Sequence, residues 1–142
     1  MTHRTIKPVA ILLVDDEVNV TRTLQMILEQ EGYKVTPAYS AAEAMGKFKA
    51  GLRPTVVITD LNMEKDDIGL EVARVAQKLK PRPLVVICTG YANVDNASIA
   101  LEMRVDHLLT KPVSIEELRT SLSQLLFERS KTVNKKGAMA RG

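Results

Sequence analysis

Apolar residues fall along the chain in short runs that alternate with stretches of helical spacing. Val9-Ala10-Ile11-Leu12-Leu13-Val14 lies between Pro8 and two aspartates, Thr55-Val56-Val57-Ile58-Thr59 leads into Asp60, and Leu84-Val85-Val86-Ile87-Cys88 leads into Thr89-Gly90. Runs of this length, with almost no polar break, fit strands covered on both faces of a parallel sheet. Residues 33–39 and 106–109 predict two further strands. From Asn19 onward, Val20, Leu24, Ile27 and Leu28 recur at helical spacing and Gly32 supplies a stop, which predicts a first helix. Ser40, with Glu43 three residues on, opens a second helix over 41–50 that Gly51 ends; a third spans about 70–80 and halts before Pro81, and a fourth spans about 94–103. Ser114-Ile115-Glu116-Glu117 is a capping box that opens a fifth helix ending near Phe127.

Five strands thus alternate with five helices. Parallel strands need crossovers, and crossovers cover both faces of a sheet, so the predicted fold class is α/β, a doubly wound five-stranded parallel sheet. The 142 residues match the size of one ordinary domain. They divide into a lead over 1–8, a domain over 9–127, and a tail over 128–142 with two glycines and no apolar periodicity, which predicts disorder or the stub of a linker.

Composition and charge narrow the function classes. No apolar run nears the roughly 18 residues that span a bilayer, and the N-terminus lacks a signal-peptide apolar stretch, so a soluble, cytoplasmic protein without membrane contact is expected. A single cysteine, Cys88, and two histidines, His3 and His107, exclude disulfide scaffolds and His/Cys zinc sites. The net charge of +3 splits into +2 on residues 1–8, +4 on 128–142 and −3 on 9–127. Specific nucleic-acid binding by the domain is therefore not expected, because a basic tail alone gives only nonspecific, salt-dependent contact.

In open α/β sheets, ligands bind beyond the carboxyl ends of the strands. Those positions hold Asp15-Asp16-Glu17, Asp60, Thr89-Gly90 and Lys111-Pro112. Taken singly, each reads as a turn residue, a helix cap or a solvated charge. Together they should converge on one pocket. Three carboxylates within about 4 Å would repel by about 4 kcal/mol per pair at an effective dielectric near 20, so the pocket needs counter-charge. A lysine and a divalent cation would supply it, and hard oxygen donors without His or Cys suit Mg²⁺, which often shares a phosphoryl oxygen.

With Asp15 and Asp16 after the first strand, Asp60-Leu61-Asn62-Met63 after the third, Thr89 after the fourth and Lys111-Pro112 after the fifth, residues 9–127 resemble the receiver domains of two-component response regulators, of the single-domain, chemotaxis-receiver-like type. The resemblance implies the strand order 2-1-3-4-5. It implies that Asp60 is the nucleophile, taking a phosphoryl group from a phosphohistidine of a sensor histidine kinase or phosphotransfer protein. It implies that Asp16, Asp60 and the backbone carbonyl of Asn62 hold Mg²⁺, with Asp15 acting through a metal-bound water and Lys111 pairing with a phosphoryl oxygen. The protein's own contribution to transfer and to self-dephosphorylation would be positioning and electrostatics, so the chain is an acceptor rather than a conventional enzyme. Thr89 would move onto the phosphoryl group and switch the surface of the fourth helix, fifth strand and fifth helix for an unidentified downstream protein. A cis Lys111-Pro112 bond would aim the lysine inward. The expected species is a monomer or weak homodimer with no attached effector.

The sequence departs from the family pattern at three places. Leu108 stands where many receivers carry an aromatic switch residue, and His107 and Tyr91 are candidate substitutes for it. Asn62 and Tyr91 occupy positions that resemble those tuning acyl-phosphate lifetime. Glu64 follows Met63 where the family commonly has proline, and Gly69 comes one residue late, which predicts a loop one residue longer that contains Lys65, Asp66 and Asp67. Two competing classes are a Mg²⁺-dependent phosphohydrolase with an aspartyl nucleophile and a receiver-like binding module not regulated by phosphorylation. The hydrolase would place its nucleophile after the first strand and carry a substrate cap, and neither is apparent.

Overall fold

The computed structural model describes residues 8–90, 98 and 101–140. Its strands are β1 (Ala10–Val14), β2 (Lys34–Ala38), β3 (Val56–Asp60), β4 (Leu84–Thr89) and β5 (His107–Thr110), and its helices are α1 (Val18–Gln30), α2 (Ala41–Lys49), α3 (Ile68–Gln77) and a C-terminal helix (Ile115–Ala140). All four strand pairings are parallel, and the sheet order is β2-β1-β3-β4-β5. The direction of winding therefore reverses between β1 and β3, with the carboxyl ends of those two strands side by side. Most of the helix predicted over 94–103, and Tyr91, lie outside the described residues. Among the described residues, no helix is long and apolar enough to cross a membrane.

The strand runs are apolar throughout because each face of the sheet is covered by helices, among the described residues α2 and α3 on one face and α1 and the C-terminal helix on the other. Ile11 and Leu13 of β1 pack with Leu24 and Leu28 of α1 and with Leu118 and Leu122 of the C-terminal helix. Leu12 and Val14, alternating with them, pack with Ala44 and Phe48 of α2 and with Val72, Ala73 and Ala76 of α3. Successive side chains of a strand point to opposite faces, so one strand feeds both cores. Pro37 within β2 is tolerated because β2 is an edge strand.

Two helices differ from expectation by more than one residue at an end. The helix α3 starts at Ile68 and ends at Gln77 rather than spanning 70–80. Asp67 takes a left-handed conformation just before it, and the residue preceding Pro81 disfavours helical geometry. The C-terminal helix continues to Ala140, well past Phe127, so residues 128–140 are helical where composition predicts a tail. No proline interrupts this stretch. The Arg129 guanidinium donates to the carbonyls of Thr55 and Arg82 and thereby docks the helix beyond the point where apolar spacing fades.

Candidate functional site

The switch point between β1 and β3 gathers the acidic residues. Asp15 directly follows β1 and Asp60 closes β3, and both are buried, while Asp16 is exposed. Carboxylate oxygens of Asp15, Asp16 and Asp60 lie within 4.8 Å of one another. Lys111, delivered by the turn after β5, places its Nζ 2.8 Å from Asp15 Oδ2 and 3.1 Å from Asp60 Oδ2. Glu17 Oε1 lies 3.8 Å from the same ammonium. Thr89 ends β4, fully buried, and its carbonyl accepts from the Lys111 amide at 2.8 Å. The Lys111-Pro112 peptide bond is cis.

The backbone fixes this arrangement. The Asp15 amide donates to Ala38 of β2, the Asp15 carbonyl accepts from Thr21 Oγ1, and Asp15 Oδ1 accepts from the Glu17 amide at 2.9 Å. Past Asp60, the Leu61 amide donates to Cys88 and the Gly69 amide donates back to Leu61. A Cβ at position 69 would sit 2.0 Å from the Asp60 carbonyl oxygen, so only glycine lets α3 approach the end of β3 this closely. The loop between them turns through the left-handed Asp67, whose amide donates to Asn62 Oδ1 at 2.7 Å. The Asn62 side chain is thus turned into its own loop.

Electrostatics follow from burial. Desolvation pushes the Asp60 carboxyl above the ordinary aspartate value and the Asp15 charge adds to it, although the Lys111 hydrogen bond and charge pull the other way. Burial also works against the Lys111 charge, but hydrogen bonds to Asp15 and Asp60 outweigh it and hold the ammonium above the ordinary lysine value. One lysine thus serves two buried carboxylates. Burial pushes the neighbouring Cys88 thiol up to about 12, which leaves it protonated and unreactive near neutrality.

Three clustered carboxylates without nitrogen or sulfur donors suit a hard divalent cation such as Mg²⁺. Beside this pocket a cleft of about 630 Å³ runs between α1 and the turn after β5, lined by Val20, Leu24, Pro112, Val113 and Ile115, with Glu17 and Lys111 lining it as well.

Of the residues singled out in the sequence, Asp15, Asp16, Asp60 and Lys111 come together, Thr89 and Asn62 stand on adjoining segments, and Leu108 packs toward the α2 and α3 side of the sheet. His107 points the other way. Its Nε2 lies 3.0 Å from Ser121 Oγ and 3.9 Å from Glu117 Oε1 on the C-terminal helix, so it does not occupy the space that an aromatic at 108 would fill. Glu64 is the residue whose part local sequence spacing does not disclose. Its two carboxylate oxygens accept from the Ala41 and Ala42 amides at 2.9 and 3.2 Å, a contact between residues 22 and 23 positions apart.

Comparison with known proteins agrees with this geometry. The family described as response regulator receiver domain matches residues 11–123. The transcriptional regulatory protein GlrR of Escherichia coli (strain K12) is 33% identical over 126 residues, covering 89% of this chain and 27% of GlrR. The transcriptional regulatory protein TrcR of Mycobacterium tuberculosis is 35% identical over 124 residues, covering 87% and 47%. The chain therefore spans about a quarter to a half of these relatives' lengths. Among solved structures, a CheY-like response regulator receiver domain protein from Methanospirillum hungatei JF-1 superposes with a TM-score of 0.81 at 29% identity, covering 89% of this chain and 99% of that one. A response regulator receiver protein from Sinorhizobium medicae gives 0.76 at 34% identity, covering 87% and 98%. With its sheet order, its acidic pocket and its paired lysine on the same pattern, this chain belongs to the response regulator receiver domain family.

Proposed function

We propose that Asp60 accepts a phosphoryl group from a phosphohistidine of a sensor histidine kinase or phosphotransfer protein, and that the modified domain signals to a downstream protein. The observation that carries this reading is the position of Asp60, buried between Asp15 and Lys111 at the mouth of the sheet. A carboxylate oxygen of Asp60 attacks phosphorus, the new P–O bond forms as the P–N bond breaks, and the imidazole nitrogen keeps the electron pair and takes up a proton. Asp15, Asp16, Asp60 and the Asn62 carbonyl would hold Mg²⁺, which supplies neutralisation of phosphoryl charge when bound. Lys111, already against Asp60, is placed to meet a phosphoryl oxygen.

The same positioning lets water attack the acyl phosphate and reset the domain, a self-catalysed step rather than turnover of a separate substrate. Thr89 would carry the change to β5 through the segment that Lys111 bonds, with Leu108 rather than an aromatic ring at the switch position, and Asn62 and Tyr91 would set the phosphoryl lifetime. A cytoplasmic location follows from the donors such chemistry requires. The test is the intact mass of wild type and Asp60→Asn after incubation with Mg²⁺ and acetyl phosphate. Wild type should gain one phosphoryl group and the variant none; equal labelling of both would reject Asp60 as acceptor.

A further inference from the structure

Glu64 lies in the exposed loop after β3, two residues past Asn62, yet it bonds to a different element. Its carboxylate spans the first two residues of α2, accepting from Ala41 at 2.9 Å and Ala42 at 3.2 Å. Helix N-termini leave their first amides without intrahelical partners. Here the next amide, Glu43, is met by Ser40 Oγ at 3.0 Å, and Glu43 Oε2 reaches back to the Tyr39 amide, so α2 has its own cap and Glu64 completes it from outside. Slight burial works against the Glu64 charge, but the bonds from the Ala41 and Ala42 amides, helped by the Lys65 charge, hold the carboxyl below the ordinary glutamate value.

The tether joins two segments that adjoin, in the chain, strands carrying or bonded to the acidic cluster. One is the loop that begins Leu61-Asn62; the other is the start of α2, just after β2, whose last residue Ala38 accepts from the Asp15 amide at 3.0 Å. Within the first loop, Asn62 Oδ1 holds Asp67 and the Leu61 carbonyl holds Gly69, but these bonds only close the loop on itself and on α3. Leu61 and Met63 pack in the apolar cluster that holds Leu12, Val14 and Ala41, and Glu64 adds the polar tie from the loop to the start of α2.

We propose that Glu64 is a positioning residue for the metal pocket: by bridging the loop after β3 to the start of α2, it holds the Asn62 carbonyl in register with Asp15, Asp16 and Asp60 for Mg²⁺. The proposal rests on the reading that these groups bind Mg²⁺. Supporting partners of this kind are commonly worth roughly 10- to 100-fold in metal affinity. With one carbonyl among several oxygens at stake, Glu64→Ala should weaken Mg²⁺ binding roughly tenfold, at the low end of that range.

The experiment is a calorimetric Mg²⁺ titration of the unphosphorylated chain for wild type, Glu64→Ala, Glu64→Gln, Ser40→Ala and Asp16→Ala, with far-ultraviolet circular dichroism to establish that each is folded. Glu64→Gln keeps one carbonyl acceptor and should fall between wild type and Glu64→Ala; it also carries the test if the alanine variant does not fold. Ser40→Ala removes a cap of the same helix without touching the loop and should bind Mg²⁺ as wild type does. Binding by Glu64→Ala within twofold of wild type overturns the proposal, as does binding by Glu64→Gln equal to wild type where the alanine variant does not fold. So does an equal weakening in Ser40→Ala, which would make the effect one of helix stability alone. No Mg²⁺ binding by wild type would overturn the underlying metal reading, and an unchanged Asp16→Ala would relocate it.

Discussion

Replacing Gly69 by alanine tests how the end of β3 is held. The added Cβ would lie 2.0 Å from the Asp60 carbonyl oxygen, 2.8 Å from Leu61 Cα and 2.9 Å from the Asp60 carbonyl carbon, whereas ordinary contact begins near 3.4 Å. Every obstructing atom is backbone, so no side chain can swing aside and either α3 or the end of β3 must move by about 1 Å or more to restore that spacing. Overpacking of this kind costs about 1–3 kcal/mol. Loosening the 2.8 Å bond from the Gly69 amide to Leu61 adds about 1 kcal/mol. At about 2–4 °C per kcal/mol for a chain of this size, Gly69→Ala should melt roughly 5–15 °C below wild type. Gly46→Ala is the internal control: it sits inside α2 with nothing within 4 Å of the place its Cβ would take, so removing glycine's backbone freedom should raise stability by about 0.5–1 kcal/mol. Thermal melts by circular dichroism in metal-free buffer read both. A Gly69→Ala midpoint within a degree of wild type, or a Gly46→Ala loss as large as that of Gly69→Ala, would refute the reasoning.

Other outcomes follow from the same pocket. Mg²⁺ at ten times its dissociation constant should stabilise wild type by about 1.4 kcal/mol, seen as a rise of a few degrees in melting temperature, and Asp16→Ala should show a smaller shift; equal shifts would remove Asp16 from the ligand set. Asp60 has a folded-state pKa above its unfolded value, so its ionised form costs stability at neutral pH and that cost disappears as pH falls below the ordinary aspartate value of 3.8. Asp60→Asn should therefore be more stable than wild type near pH 7 without metal, with the gain shrinking toward about pH 3.5. Denaturant melts across that range that show a constant gain would contradict the burial argument.

The strands were legible because burial on both faces leaves apolar runs such as Ile11-Leu12-Leu13-Val14, and the strand ends were legible because Asp15, Asp60, Thr89 and Lys111 interrupt them. The order of those strands was not readable from periodicity, since pairing between β1 and β3 joins segments more than 40 residues apart; it came through the resemblance. Local spacing also failed where distant contacts decide the outcome. Glu64 caps a helix that precedes it in sequence by more than 20 residues, and Arg129 extends the C-terminal helix by bonding carbonyls of Thr55 and Arg82. At His107 and Leu108 the sequence placed two candidates side by side, but strand alternation sends them to opposite faces.

The ion pair between Lys111 and Asp15 joins residues 96 positions apart, and that with Asp60 joins residues 51 apart. The electrostatic setting of Asp60 is accordingly a property of the finished sheet and of no shorter fragment. During synthesis at about 5–20 residues per second, Asp60 is made roughly 3–10 seconds before the lysine that neutralises it. A nascent chain carries the Asp60 carboxylate early and its counter-charge late, and the pair can close only when β5 has joined the sheet.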